Sequence, residues 1–103
     1  MVWHQVGSWS GHGSRQTESF ASDTGTLRVR WEATAAQPSA RPTVFRLSAR
    51  SAVSGRLLQQ VVDRNGPGSG LDYVQQEPHV FYMDIESNEV NWRFTIEEAI
   101  GYR

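Results

Sequence analysis

The last third of the chain constrains the fold more than any other stretch. Two runs of alternating residues follow one another there. Phe81, Met83 and Ile85 are the apolar positions of residues 79–87, and Val90, Trp92, Phe94 and Ile96 are those of residues 89–97. A period of two marks a strand with one face buried. The runs meet at Ser87-Asn88-Glu89, residues suited to a turn. A two-residue loop at Asn88-Glu89 predicts a hairpin with Ile85 opposite Trp92, Met83 opposite Phe94 and Phe81 opposite Ile96, every apolar side chain on one face. In the same register Asp84 faces Arg93 as a cross-strand ion pair on the surface.

Earlier segments repeat the pattern. In residues 26–33, Leu27, Val29 and Trp31 face in while Arg28, Arg30 and Glu32 face out. In residues 43–50, Phe45, Leu47 and Ala49 alternate with Arg46, Ser48 and Arg50. Residues 2–9 are aromatic-rich but alternate poorly, and Gly7 marks a bulge or an early break. Residues 15–21 alternate weakly around Thr17 and Phe20. Leu57, Leu58, Val61 and Val62 fit a buried strand over residues 56–63, and residues 71–76 a short one. Turns and loops are expected at residues 10–14, 22–25, 51–55 and 64–70, an exposed connection at 34–42, and a tail at 99–103.

This gives about eight strands at the spacing of an all-β antiparallel sandwich or barrel, with no convincing helix. The chain of 103 residues is long enough for one core and reads as a single domain, 1–103. The expected core is Leu27, Val29, Trp31, Phe45, Leu47, Phe81, Met83, Ile85, Val90, Trp92, Phe94 and Ile96. Burying each contributes roughly 1.5–3 kcal/mol before conformational entropy is subtracted. No disulfide is available to help, because there is no cysteine. That also excludes thiol chemistry and a zinc–thiolate site.

One order of residues runs through most of the chain. Trp9, Gly11, Gly13, Thr17 and Phe20 precede Leu27-Arg28-Val29-Arg30-Trp31; then come Gly55, Val61-Val62, the glycine loop, Pro78, Phe81-Tyr82, and Val90-Asn91-Trp92 with Thr95 and Glu97. This order resembles uncharacterised bacterial β-sandwich accessory domains of CUB-like or jelly-roll architecture, often found in exported or envelope proteins. The resemblance lies in aromatic and glycine placement and carries no catalytic motif. The cysteines of animal CUB domains are missing, and their acidic calcium ligands have no counterpart here. It implies a jelly-roll or CUB-like sandwich in an exported or cell-envelope setting.

The charge balance narrows the partners. A formal net charge of −1 argues against generic nucleic-acid binding, and there is no polybasic segment for an anionic membrane. No apolar run approaches the ~20 residues that span a bilayer, and no signal peptide is visible at Met1. All ten basic residues are arginine. A GC-rich genome explains that; a surface for planar, bidentate anion contacts is the functional alternative.

No constellation points to catalysis, so no enzyme activity and no cofactor are expected. His4, His12 and His79 lack the spacing of a metal site within one element. Gly66-Pro67-Gly68-Ser69-Gly70 resembles a nucleophile elbow only superficially, since Pro67 replaces the first glycine and no strand–turn–helix surrounds it. Asp63-Arg64-Asn65-Gly66 is a fragment of a calcium loop without its remaining ligands, Asp72 being the next acid.

Two groups remain as ligand-binding candidates. Arg28 and Arg30 share one strand face, and Arg46 and Arg50 another; if those strands are neighbours, four guanidiniums converge. Trp9 and Tyr82 are aromatic rings suited to a sugar face or a protein partner, the competing reading being that Trp9 caps the core at one end and Tyr82 covers a neighbouring strand. The expected function is a non-catalytic binding or accessory domain for carbohydrate or another envelope component, through Trp9, Tyr82, Arg28, Arg30 and Arg46. The alternative is a structural module that self-associates through an exposed sheet face.

Overall fold

The computed structural model describes residues 2–35, 43–88 and 90–101. Nine strands are formed by them: β1 (Val2–His12), β2 (Arg15–Gln16), β3 (Phe20–Ser22), β4 (Thr26–Ala35), β5 (Val44–Ser51), β6 (Leu57–Asn65), β7 (Gly68–Gln75), β8 (His79–Asn88) and β9 (Val90–Ile100). They make two antiparallel sheets packed face to face, an all-β sandwich. One sheet has the order β1-β9-β4-β7; the other has β2-β8-β5-β6, with β3 beside β2 on the same edge of β8.

All twelve expected core residues lie between the sheets, none more than 8% exposed. Ala33, Ala49, Val61, Val62 and Val74 complete the layer. Val61 and Val62 are consecutive yet both buried. The register slips between Leu47↔Val62 and Ser48↔Gln60, so Val61 is an extra residue in β6 that turns inward. Leu57, expected to be buried, is 49% exposed at the strand's start.

The hairpin expected at Asn88-Glu89 does not form. β8 pairs with β5, β2 and β3, whereas β9 pairs with β1 and β4. The chain crosses from one sheet to the other between them. Both strands keep their apolar face inward because both sheets enclose the same core, so the alternation is satisfied by a different partner. Asp84 accordingly meets Arg50 at 2.9 Å, and Arg93 meets Glu32 at 3.3 Å.

Other boundaries also moved. β1 runs on to His12 through residues expected to loop, because its last residues continue the ladder to Asn91. Gly7 follows the one register shift in that strand, as a bulge requires. Residues 15–22 form two short strands on one edge of β8. Between them, Thr17 donates its amide to the Met83 carbonyl (3.0 Å) and accepts the Met83 amide on its hydroxyl (2.9 Å), so the ladder is continued by a side chain. β9 extends to Ile100, with Ala99 buried, where a tail was expected. Most of the connection at residues 34–42 lies outside the described residues.

Gly11 shows how glycine serves this core. A Cβ built there falls 2.9 Å from Cζ2 of Trp92 and 3.4 Å from Nη1 of Arg15, so the bare backbone seats both side chains. Gly11→Ala is expected to cost about 1–3 kcal/mol, the range for overpacking, read as a lowered unfolding midpoint in denaturant.

Candidate functional site

The two sheets do not close on each other along the β1 side. β1 is the edge of its sheet, and the segment from Arg15 to Phe20 edges the other; a cleft of about 300 Å³ lies between them. Trp9 and Trp92 form one wall, Ile85 contributes from the facing sheet, and Arg15, Gln16, Thr17 and Glu18 supply polar groups.

Each wall residue is held by an identifiable contact. Trp9 pairs with Phe94 in the ladder, so its ring points inward and stacks on Phe94 with centroids 5.4 Å apart. Phe20 meets it from the other sheet at 5.7 Å. The Trp9 indole N–H donates to Glu18 Oε1, which fixes both the ring and the carboxylate. Trp92 stacks on Phe94 at 5.6 Å and donates its indole N–H to the Gly13 carbonyl at 2.9 Å. Each indole of the aromatic wall is thus held by a ring contact and by a hydrogen bond from its N–H.

Arg15 is exposed and, among the described residues, has no carboxylate within ion-pairing distance. Most other arginines are spoken for. Arg28 and Arg30 both reach Glu97 Oε1, at 2.9 and 3.2 Å. Arg46 lies 3.1 Å from Asp63 and 3.5 Å from Glu86. The hydrogen bond from Arg28 holds the Glu97 carboxyl below its ordinary value against the opposing effect of burial, with Arg30 adding to it. The Arg46 guanidinium is raised, chiefly by its hydrogen bond and charge pairing with Asp63.

The expected four-arginine surface is thus not formed. β4 carries Arg28 and Arg30 on one sheet, and β5 carries Arg46 and Arg50 on the other. Their outward faces look away from each other across the core. Nor do Trp9 and Tyr82 meet. Tyr82 sits between buried Phe81 and Met83, so it points to the outer face of its sheet, opposite Arg50 in the ladder. Its hydroxyl lies 3.7 Å from where a Cβ at Gly55 would be, so the ring runs across the neighbouring strand. Of the sequence candidates, only Trp9 lines the cleft.

A second aromatic group occupies the outer face of the β1-β9-β4-β7 sheet. Trp3 and Tyr73 approach to 6.1 Å, and the Arg28 guanidinium lies 4.3 Å above the Trp3 ring. That group is self-satisfied: the cation already has its ring and its carboxylate.

Residues with catalytic or metal-binding potential are likewise occupied. Ser51 and His79 are 2.7 Å apart, but Ser51 is 3% exposed and its oxygen accepts the amides of Val53 and Ser54, so it anchors the β5–β6 turn. Asp63 is held by Arg46, and Asp72 accepts the Trp31 indole N–H at 2.7 Å. Among the described residues no three His, Asp or Glu side chains gather in a metal-binding group, and no helix is long and apolar enough to cross a membrane.

The sequence reasoning missed Arg15, Gln16, Glu18 and the cleft-facing edge of Trp92. The weak alternation around Thr17 and Phe20 was the available signal that this segment packs; nothing local marks Arg15 as a cation without a carboxylate partner among the described residues. No family model matches the chain, and neither a curated protein nor a solved structure matches it.

Proposed function

We propose that this chain is a non-catalytic binding module of a bacterial exported or envelope protein, with carbohydrate or another envelope component as its ligand, held in the cleft beside Trp9. The observation that carries this reading is the composition of that cleft: a fixed aromatic wall flanked by Arg15, Gln16, Thr17 and Glu18. Small-ligand sites combine an apolar wall with a few placed polar groups, and a volume of about 300 Å³ is at the lower end of their range. A sugar fits such a pair of surfaces, its C–H face on the indole and its hydroxyls on the guanidinium, carboxylate and amide. The antiparallel two-sheet architecture supports the CUB-like or jelly-roll resemblance at the level of fold.

The test is thermal unfolding against a panel of cellulose, chitin and xylan oligosaccharides, with calcium, EDTA, sulfate and phosphate alongside. A ligand at a hundred times its dissociation constant adds about 2.7 kcal/mol, a midpoint shift on the order of 10 °C for a domain this size. An oligosaccharide is expected to give the shift, and Arg15→Ala to abolish it while leaving the unliganded midpoint unchanged. A flat response to every sugar, or a shift given by calcium and reversed by EDTA, contradicts the reading.

A further inference from the structure

We propose that the open edge of β1 pairs with the same edge of a second copy of this chain, joining two sandwiches through a continuous antiparallel sheet. This goes beyond the ligand cleft and rests on how the molecule treats its strand edges.

Unpaired edges present a row of N–H and C=O groups, and proteins that remain monomeric blunt them with short strands, charges or a covering element. Three edges here are blunted. β6 and β7 lie at corresponding edges of the two sheets, and side chains tie them together. Gln59 Nε2 donates to the Tyr73 carbonyl at 2.8 Å, the Gln75 amide donates to Gln59 Oε1 at 3.3 Å, and Gln76 Nε2 donates to the Leu58 carbonyl at 3.4 Å. The edge outside β8 is broken into β2 and β3, of two and three residues.

β1 is the exception. It has eleven residues, pairs only with β9, and no described group hydrogen-bonds its backbone from the open side. At about 3.3 Å per residue it offers an edge on the order of 36 Å long. It is also the one described strand longer than three residues that contains no Arg, Asp or Glu. The chain has 21 Arg, Asp and Glu residues, and none of them stands in β1, where such charges would best prevent pairing; its two histidines, His4 and His12, lie toward its two ends.

That neutrality selects the occupant. Like charges directly opposite one another destabilise a strand pair, and β1 set antiparallel against itself has none. A charged strand from elsewhere gains no ion pair from it. The bulge after Gln5 interrupts the first part of the strand, so the regular stretch from Gly7 to His12 is where a two-fold pairing runs.

Sedimentation equilibrium across micromolar to millimolar concentration tests this. The expected mass rises from 11.6 kDa toward twice that value, with amide exchange in β1 slowing as concentration increases. Ser10→Glu places one carboxylate per copy in the seam, opposite Arg93 within its own sheet, where it is tolerated. It is expected to weaken the dimer by about tenfold or more without lowering the unfolding midpoint at the dilute end of that range, where both chains are monomers. A single 11.6 kDa species at every concentration overturns the proposal. So does a dimer that Ser10→Glu leaves unchanged, since its interface lies elsewhere.

Discussion

Replacing Gly25 by alanine is expected to cost about 3 kcal/mol or more, a large fraction of the stability of a domain this size. Two independent penalties combine. Gly25 has a φ of 72°, in the left-handed region that a Cβ disfavours. Its Cβ would also fall 2.1 Å from the Gln76 carbonyl oxygen and 2.5 Å from the Glu77 carbonyl. Those are backbone atoms, and the Gln76 amide is already bonded to the Gly25 carbonyl at 2.9 Å, so the neighbour cannot withdraw. Gly13→Ala supplies the control. Its φ is 79°, but nothing lies within 4 Å of the added carbon, so only the conformational cost of about 1 kcal/mol should appear. Denaturant unfolding of the two variants separates steric contact from backbone strain.

Glu98→Ala is the second large effect, expected at about 2–4 kcal/mol because it strands the buried Ser22 hydroxyl and two part-buried amides. Glu98 is a buried carboxylate in β9 whose Oε2 accepts the Ser22 hydroxyl at 2.5 Å and the amides of Asp23 and Thr24 at 2.6 and 3.3 Å. Ser22 in turn accepts the Gly25 amide at 2.9 Å, so one carboxylate organises the turn into β4. Burial pushes this carboxyl up, but the hydrogen bonds from Ser22, Thr24 and Asp23, together with the charge of His4, outweigh it and leave the group below its ordinary value of 4.5. The folded protein then keeps the charge at a pH where the unfolded chain takes up a proton. The stabilisation is complete above the ordinary carboxylate value and is lost as pH falls through the lower, folded one. Glu97, lowered by Arg28 and Arg30, acts in the same direction. Glu98→Gln should flatten the acid limb of the stability profile while retaining part of the hydrogen bonding; an unchanged limb would place the proton uptake elsewhere.

The sequence displayed the burial of this protein better than its connectivity. Leu27, Phe45, Met83 and Trp92 face the core as their alternation required, because alternation reports which side of a strand is dry. It does not report which strand lies alongside. Phe81–Ile85 and Val90–Ile96 looked like partners because they are adjacent in sequence and alternate in phase. A crossing between two sheets that share a core satisfies the same pattern. Everything inferred from that pairing moved with it, including the Asp84–Arg93 contact, and the supposed convergence of Arg28 with Arg46 failed for the same reason. The cleft was still less legible. Trp9 was singled out as a ring, but its neighbours come from residues 15–18, joined to it only by tertiary packing, and the freedom of Arg15 depends on where every carboxylate ended up.

The most direct test of the binding account uses the four indole N–H groups of this chain, followed by proton–nitrogen correlation while chitotriose, cellotriose and xylotriose are titrated in. Trp9 and Trp92 line the cleft, Trp3 lies on the outer face beside Arg28, and Trp31 is bonded to Asp72 in the core layer. The account predicts that one of these sugars moves the Trp9 and Trp92 signals in a saturable way and leaves Trp3 and Trp31 in place. Movement of Trp3 alone, or no movement of any indole with any of the three sugars, would contradict it.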